Sequence, residues 1–515
     1  MIYLVLILAA GIFLTSLLYR LPDISERHQS SAIDDGVTTS MGQEFAAGLA
    51  ANPDKTGVFL LQHGRDAFAA RALLARKAEK SIDVQYYMYH QDTVGSLLTY
   101  ELLRAADRGV RVRMLIDDIY GHEGEDTWVA LDAHPSIEVR LWNPWKRGKN
   151  RMLQSVLRAI DINYRMHAKS YTVDNQATIL GGRNIGDEYF DADTSVAFSD
   201  LDVLAIGPSV MEVSAEFDEY WNSDFAYPVD ILVRQGNEQE LDALRDARTG
   251  FYKQQATSDY VKALTDSGLA HGLADGSLGF SWSEARVIHD SPEKETLGKA
   301  GKDELLLSQL APYITGAKKT VDIVSPYFVP GDRATDALCK LAEDGVRVNI
   351  LTNSLASNDV SAVHAGYSKY RRKLLRCGVQ LFELDESLKD REGKAFTWLP
   401  GLKKSSLHAK TMAFDGEIMF VGSFNFDQRS ININNEIGLV FREPGIAGES
   451  ARHFEDKVNE IAFRVEFSRE GGSENLHWVG GQGGPDVVME EEPYATTGQK
   501  LTVGILKWLP IDSQL

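Results

Sequence analysis

The chain contains one polar pattern twice, and this duplication restricts the possible folds more than any other feature. The copies occupy residues 165–184 and 407–425. Each has His-x-Lys, then an Asp, then Gly-Gly or Gly-Ser, and then an Asn, and the two align without a gap. The aligned pairs are His167 with His408, Lys169 with Lys410, Asp174 with Asp415, Gly182 with Ser423, and Asn184 with Asn425. Such a repeat predicts two similar units that together build one site.

The segments before each copy also repeat. Residues 81–89 have the alternating β-forming pattern of a strand, 97–108 that of a helix ended by Gly109, and 110–116 that of another strand. The same order returns at 321–324, 337–344 and 346–351. Strands that alternate with helices predict an α/β fold. The predicted organisation is an N-terminal anchor or signal segment at 1–22, a tether at 23–56, a first repeat at 57–226, a connecting segment at 227–302, a second repeat at 303–465 and an irregular tail at 466–515.

Composition excludes several classes of protein. The chain has 43% hydrophobic and 25% charged residues, as globular proteins do. Its net charge of −20 argues against a general nucleic-acid binder, which needs a basic face for phosphates. Cys339 and Cys377 are the only cysteines, and nothing near them has the spacing of a metal site. A disulfide framework and a cysteine zinc site are therefore not expected.

Residues 2–19 form an uncharged, mostly apolar run of about the length that spans a bilayer. A cleaved secretory signal is the alternative. No Lys or Arg precedes the run and no small-residue cleavage site follows it, which favours an uncleaved anchor. The mixed charges after the run do not determine its orientation.

The twin His-x-Lys-x4-Asp pattern is the signature of the phospholipase D superfamily, which the chain resembles. Shorter stretches within 83–87, 115–118, 181–189, 198–202 and 206–208 are similar to bacterial cardiolipin synthases, the C type in particular. The resemblance implies two mixed β-sheets flanked by helices, packed about a pseudo-two-fold axis with one shared active site. It also implies phosphatidyl transfer without a metal or other cofactor, on phospholipids such as phosphatidylglycerol and phosphatidylethanolamine at the bacterial inner membrane.

The chemistry of the paired residues suits a phosphodiester. Two Lys and two Asn can stabilise charge on the equatorial oxygens. One His can attack phosphorus to give a phosphohistidine while the other protonates the leaving alkoxide. The resemblance assigns attack to His167 and acid–base work to His408. Each His needs an acid on its second ring nitrogen, and the candidates are Asp200 or Asp202 after the first copy and Glu436 after the second.

Other residues of the motifs have structural alternatives. Asp174 and Asp415 belong to the family's catalytic pattern, but both fall where a hairpin would turn, so a role in the turn and register is the alternative. Backbone N–H groups at Gly182 and Ser423 are predicted to approach the bound anion, with Asn184 and Asn425 as further donors.

Two further features have more than one interpretation. Asp117 and Asp118 end a strand, where they could hold Mg²⁺, or simply cap a helix or form a polar rim. The loops at 142–151 and 394–404 mix aromatic residues, Pro and cations, so each is either a surface that meets lipid headgroups or an ordinary exposed loop. The apolar C-terminal end at 501–511 is likewise either an interfacial contact or packing.

The reading favoured by the sequence is a cardiolipin-forming phosphatidyltransferase. A phospholipase D that transfers the group to water would use the same catalytic residues. A nuclease or other phosphodiesterase is disfavoured by the acidic charge and the apolar N-terminus. A lipid-binding protein without activity is disfavoured because both motifs are intact.

Overall fold

We analysed a computed structural model of the chain. It describes residues 19–192, 197–294, 301, 305–387, 405–468, 474–481, 487–509 and 514. Most of the apolar run at 2–19 and the whole of the loop at 394–404 lie outside the described residues. Within the described residues, no helix is both long and apolar enough to cross a bilayer.

The elements are numbered in chain order. The helices are α1 (Ser40–Ala51), α2 (Gly64–Lys77), α3 (Thr93–Asp107), α4 (Glu125–Asp132), α5 (Arg151–Leu157), α6 (Ala159–Asn163), α7 (Pro208–Asn222), α8 (Val229–Leu232), α9 (Glu238–Gln255), α10 (Asp259–Thr265), α11 (Gly268–Asp275), α12 (Leu306–Gly316), α13 (Gly331–Glu343), α14 (Ser361–Arg376), α15 (Gln428–Asn432), α16 (Pro444–Asp456) and α17 (Thr497–Leu506).

The strands are β1 (Thr56–Leu61), β2 (Ser81–Tyr86), β3 (Arg111–Asp117), β4 (Ile137–Trp142), β5 (Ser170–Val173), β6 (Ala177–Gly181), β7 (Ala197–Ser199), β8 (Asp202–Ile206), β9 (Ala226–Pro228), β10 (Ser281–Ser283), β11 (Ala285–His289), β12 (Thr320–Val324), β13 (Phe328–Val329), β14 (Arg347–Thr352), β15 (Gln380–Leu384), β16 (Ser405–Leu407), β17 (Thr411–Phe414), β18 (Ile418–Gly422), β19 (Phe426–Asp427), β20 (Ile437–Arg442), β21 (Ala462–Phe467), β22 (Leu476–Gly480) and β23 (Val488–Met489).

Two large mixed sheets repeat one topology. The first has nine strands in the order β10-β1-β8-β6-β5-β2-β3-β4-β9, and the second has ten in the order β11-β20-β18-β17-β12-β14-β15-β21-β22-β23. In each sheet three parallel strands lie beside an antiparallel hairpin that follows the His-x-Lys motif. The predicted fold of two mixed-sheet repeats is confirmed.

Local signals explain how the parallel strands are connected. Helix α3 crosses from β2 to β3; the Asp92 side chain caps its start by accepting from the Gly95 N–H. Gly109, just after its end, has a φ of +92°, which favours glycine. The apolar face of α3 packs into the core of the first repeat with Leu98 and Leu102 fully buried. Because β2, β3 and β4 run parallel, their carboxyl ends lie at one edge of the sheet.

The two repeats exchange backbone hydrogen bonds next to the motifs. Strand β16, just before His408, pairs in parallel with β7 of the first repeat. Reciprocally, the His167 N–H donates to the carbonyl of Asn435 over 2.8 Å. A shared apolar cluster that includes Met166, Leu180, Val421 and Leu439 lies under this contact. The junction is thus a packed core that carries both motifs.

Three segments that were predicted to be a tether, a connecting segment and an irregular tail contain regular elements in the structure. Within 23–56 the chain forms α1 and packs on the first repeat, so it is not a free tether. The segment 227–302 contributes β9 and β10 to the first sheet and β11 to the second. The tail adds β22 and β23 to the second sheet and contains α17. These elements are short or interrupted by glycines, so periodicity along the sequence detects them poorly.

The cysteines form a bond that the sequence analysis did not anticipate. Cys339 of α13 and Cys377, just after α14, are joined by a disulfide with their Cα atoms 5.3 Å apart. The expectation of no disulfide framework is corrected to this single bridge. The pair lies far apart in sequence, and only the packing of α13 on α14 brings the two thiols together.

Candidate active site

His167 lies just before β5, where its imidazole meets an acid from the other repeat. The Nδ1 atom is 2.8 Å from Oε2 and 3.0 Å from Oε1 of Glu436. Glu436 is itself held by two hydroxyls: Ser423 Oγ donates to it over 2.5 Å and Ser430 Oγ over 2.7 Å. Glu436 is completely buried. This carboxylate fixes the orientation of the ring and leaves Nε2 as the reactive atom.

His408 has the reciprocal arrangement. Its Nδ1 atom lies 2.5 Å from Oδ2 of Asp200, which belongs to the first repeat. The Leu201 N–H donates to the second oxygen of Asp200 over 2.8 Å. Each histidine is therefore oriented by a carboxylate of the other repeat, and neither repeat alone has a complete pair.

The two lysines are buried beside the histidines. Lys169 Nζ donates to the carbonyl of His167, and Lys410 Nζ to the carbonyl of His408, both over 2.5 Å. Lys410 Nζ also lies 3.0 Å from Nδ1 of His408. Both ammonium groups are thus held at the same edge as the imidazoles.

Burial determines the protonation of the site. It lowers the pKa of His167 well below the usual value, and the nearby charges of Lys169 and Lys410 lower it further. Burial and Lys410 also lower the pKa of His408, although Asp200 opposes this shift. Burial lowers the pKa of Lys169 to about 7. His167 is therefore neutral at neutral pH, as an attacking nitrogen must be.

The pKa values of the two acids are shifted in opposite directions. Burial raises the pKa of Glu436, with Lys169 and the two serine hydroxyls acting against it. Burial would also raise the pKa of Asp200, but the charges of His408 and Lys410 outweigh it and the pKa is lowered. The negative charge of Asp200 therefore favours a proton on His408 more strongly than Glu436 does on His167.

Asp174 and Asp415 lie at the turns of the two hairpins and not with the histidines. Asp174 accepts hydrogen bonds from the backbone N–H groups of residues 79–81, and Asp415 from those of 318–320. Their φ angles are +51° and +55°. These contacts fit the alternative of a turn and register role, and they put neither carboxylate within reach of the reacting atoms.

The Gly-Gly and Gly-Ser pairs do not present free N–H groups. The Gly182 N–H donates to the carbonyl of Leu201, and the Ser423 N–H to that of Ile437. The predicted anion contact through these groups is therefore wrong. A Cβ on Gly182 would lie 2.1 Å from Oδ1 of Asp200, so glycine is needed here to admit the acid that orients His408.

The two asparagines have different surroundings. Nδ2 of Asn184 donates to the Tyr189 hydroxyl over 2.9 Å, so this amide already has a protein partner. Oδ1 of Asn425 is buried without a hydrogen-bond partner. Such an unpaired polar atom indicates a place where a ligand or water completes the site.

The other candidate acids have structural partners. Asp202 accepts from Arg71 over 2.9 Å and lies near Arg183, so of the two alternatives only Asp200 reaches a histidine. Asp118 is paired with Arg147. Asp117 accepts from Arg165 and from the Met166 N–H, next to His167. Asp118 therefore belongs to a polar rim with Arg147, whereas Asp117 supports the backbone of the first motif through Arg165 and the Met166 N–H.

The second repeat has an equivalent of this support. Asn353, which follows β14, accepts from the N–H of Leu407 over 3.1 Å and donates to its carbonyl over 3.0 Å. Leu407 immediately precedes His408, as Met166 precedes His167. In both repeats a polar residue at the carboxyl end of the middle parallel strand thus holds the backbone before the motif.

Sequence reasoning missed the aromatic walls of the site. The Tyr87 ring meets the His167 ring edge to face at 4.9 Å, and Lys169 Nζ lies 5.4 Å from the same ring. Tyr189 and Phe198 each lie 5.2 Å from the ring of His408. The position of Tyr87 just past the carboxyl end of β2 was the available signal, since that edge carries sites in α/β folds.

Comparison with solved structures agrees with this architecture. The phosphatidylserine synthase of Haemophilus influenzae Rd KW20 is similar with a TM-score of 0.52 and 15% identity, over 83% of this chain and 92% of that one. At this identity the similarity concerns the fold. Two mixed-sheet repeats that share one twin-histidine site define a protein of the phospholipase D superfamily.

Sequence comparison specifies the family. Residues 73–221 and 310–458 each match the family model described as "Cardiolipin synthase, PLD-like domain", and the chain belongs to this family. Cardiolipin synthase C of Escherichia coli (strain K12) is 38% identical over 461 residues, 90% of this chain and 96% of the relative. Cardiolipin synthase A of Pseudomonas syringae pv. syringae is 27% identical over 384 residues, 74% of this chain and 64% of the relative. The protein is a phosphatidyltransferase that acts on phospholipids.

Proposed function

We propose that the protein makes cardiolipin by transferring a phosphatidyl group from a donor phospholipid to the hydroxyl of phosphatidylglycerol. Phosphatidylglycerol or phosphatidylethanolamine is the donor, and the group passes through a covalent phosphohistidine. The observation that carries the proposal is the reciprocal pairing of His167 with Glu436 and His408 with Asp200. Two oriented imidazoles at one phosphate suit a two-step displacement.

In the first step Nε2 of His167 attacks phosphorus and the bond to the headgroup oxygen breaks. His408 gives its proton to that oxygen, and the free headgroup alcohol leaves. In the second step His408 takes the proton of the phosphatidylglycerol hydroxyl, whose oxygen attacks phosphorus and displaces His167. The lowered pKa of His167 supports its role as the attacking nitrogen. The charge of Asp200 opposes the lowering of the pKa of His408 and so supports the role of His408 as the group that carries the proton.

Both lysines would face the charge that develops on the phosphoryl oxygens. A buried ammonium stabilises such charge strongly because water does not screen it. Asn425, which aligns with Asn184 in the second copy of the motif, would add its amide N–H groups as donors to the same oxygens. The mechanism needs no metal, because protein cations supply the positive charge.

The location that fits this function is the bacterial inner membrane, where the substrates are. The apolar run at 2–19 would hold the protein there as an anchor, or the protein would bind from one side as a peripheral enzyme. Nucleic acid is not a partner in this proposal, since the net charge is −20.

The test is turnover in vesicles of phosphatidylglycerol and phosphatidylethanolamine with EDTA present, followed by lipid mass spectrometry. We expect cardiolipin as the main product, with headgroup release in equal amount. Phosphatidic acid alone would make the protein a phospholipase D. A requirement for added Mg²⁺ would contradict the metal-independent mechanism.

The substrate affinity is expected to depend on pH through Lys169. Its pKa is lowered to about 7, so the ammonium is present below this pH and is lost above it. Because an anionic phosphodiester needs the charged form, KM should rise by up to about tenfold per pH unit above 7. Lys169→Arg, which stays charged, should flatten this profile even if its kcat is low. A KM that is constant from about pH 6 to 9 in the wild type would contradict the assignment.

A further inference from the structure

Helix α5 exposes apolar side chains on the rim of the active site. Met152 is 82% exposed and Val156 72%, and Leu153 is also exposed. Arg151 at the start of the helix donates to the carbonyls of Asp118 and Ile119, both over 3.3 Å. The neighbouring Tyr120 contacts Tyr87, whose ring lies against His167. A continuous path of contacts therefore leads from the reactive imidazole to α5.

The segment that carries α5 is basic in an acidic protein. The chain has 74 acidic and 54 basic residues, yet residues 143–160 contain no Asp or Glu. Their cations are Lys146, Arg147, Lys149, Arg151 and Arg158. Arg147 is paired with Asp118, whereas the described residues place no carboxylate within ion-pair distance of Lys146 or Lys149. Apolar side chains beside unpaired cations are typical of a surface that meets anionic headgroups.

Helix α17 exposes a second apolar face. Leu501 and Ile505 lie one helical turn apart and are 65% and 59% exposed, and Trp508 beyond the helix is 89% exposed. The opposite side of α17 is fixed, because Val503 packs on Leu355 and Ala365. The helix therefore has one side in the protein and one apolar side in solvent.

Contacts place α17 on the rim of the second repeat. Gln499 donates to the carbonyl of Leu355 over 3.3 Å. Leu355 follows Asn353, the residue that holds the backbone before His408. Helix α5 has the corresponding relation to His167, because Arg151 contacts the carbonyls that follow Asp117.

Asn163, the last residue of α6, contacts both the second repeat and the C-terminal segment. Its carbonyl and side-chain oxygens accept from Arg429 of the second repeat over 2.7 and 2.9 Å. Its amide donates to Gln514 over 2.9 Å, a few residues after Trp508. Gln514, which follows α17 in the sequence, therefore lies beside the end of the α5–α6 segment.

We propose that α5 and α17 form a docking surface for an anionic phospholipid bilayer, which turns the active-site entrance toward the headgroups. The docking surface consists of Met152, Leu153, Val156, Leu501, Ile505 and Trp508. The choice of a bilayer as partner rests on the proposed function, in which both substrates are membrane lipids. Burial of these side chains among acyl chains supplies the apolar energy, and Lys146 and Lys149 supply the charge selectivity.

The docking surface is tested with an environment-sensitive fluorophore on the full chain. The two native cysteines are disulfide-bonded, so Met152→Cys or Ile505→Cys offers a single free thiol for nitrobenzoxadiazole. Vesicles of equal parts phosphatidylglycerol and phosphatidylcholine should shift its emission to the blue and raise the intensity about twofold or more. Pure phosphatidylcholine should give a much smaller change.

The matched control is Val37→Cys, since Val37 is 64% exposed but adjoins Gly36, which contacts the Asp174 turn at the far end of the hairpin from His167. A probe at this position should not respond. No response at positions 152 and 505 would overturn the proposal, and so would an equal response at position 37. An equal response to pure phosphatidylcholine would overturn the selectivity for anionic lipid. These readouts do not depend on turnover, so they stand even if the proposed function fails.

Activity gives an independent measure. The double variants Met152→Ser/Val156→Ser and Leu501→Ser/Ile505→Ser should lower turnover on vesicles about tenfold. On dihexanoyl phosphatidylglycerol below its micellar concentration, their turnover should stay within about twofold of the wild type, because no bilayer is involved. An equal loss on both substrates would indicate damage to the fold or the site and overturn the docking role. Absence of turnover by the wild type on either substrate would count against the proposed function and not against the surface.

Discussion

His408→Ala is expected to form the covalent intermediate once and then stop, whereas His167→Ala forms none. The test uses a phosphatidyl ester of p-nitrophenol, whose leaving group departs without a proton. The variant that lacks His408 should release about one p-nitrophenol per enzyme and then stall, since no base activates the acceptor. The variant that lacks His167 should release none above background, a loss of about 10⁶-fold if the catalytic groups act as a unit.

Intact mass at mildly alkaline pH should detect the phosphatidyl adduct in the His408→Ala protein and lose it after acid treatment, as expected of a phosphohistidine. His271→Ala, which removes an exposed histidine of α11, serves as the control and should turn over like the wild type. A burst from His167→Ala with none from His408→Ala would reverse the two roles. Normal steady-state turnover by either variant would refute the mechanism.

The second expected result is that replacing each acid gives the same type of defect as replacing the histidine that it orients, which lies in the other repeat. Asp200→Asn should behave as an impaired His408, and Glu436→Gln as an impaired His167. An amide can turn its NH₂ toward Nδ1 and so favour the wrong tautomer, which lowers kcat by about 10²–10⁴ in triads of this kind. With the p-nitrophenyl ester, Asp200→Asn should therefore keep the burst and Glu436→Gln should lose most of it.

Double variants test whether Asp200 acts through His408. Asp200→Asn should add little to the defect of His408→Ala, because residues that act as one unit are not additive. Asp322→Asn is the matched control: this carboxylate is also buried, but it accepts from Asn349 and has no histidine partner. The assignment fails if Asp200→Asn is additive with His408→Ala but not with His167→Ala.

Much of the architecture could be predicted because it is encoded in local patterns. The alternation of strands and helices before each motif predicts α/β layers, and the glycine after α3 marks the end of that helix. The ungapped second copy predicts a second sheet of the same topology. The spacing within the motif also predicts which histidine and lysine lie together, since the chain between them is too short to separate them.

Details that depend on distant residues could not be predicted in this way. Asp200 and Asp202 lie two residues apart and are alike in sequence, but Asp202 meets Arg71 of α2 and Asp200 meets His408 of the other repeat. Ser423 resembles an anion donor by position, yet its hydroxyl supports Glu436. The disulfide joins two residues separated by 38 positions and depends on how α13 packs on α14.

The sequence by itself thus determined the fold class, the two repeats, the superfamily and the paired histidines and lysines. Only the tertiary structure decided which acid serves which histidine, that Gly182 leaves room for Asp200 while Ser423 hydrogen-bonds to Glu436, and where apolar side chains remain exposed. The physical reason is that periodicity and spacing record the neighbours of a residue along the chain. Burial, ion pairing and pKa depend on neighbours in space, and here these come from the opposite repeat.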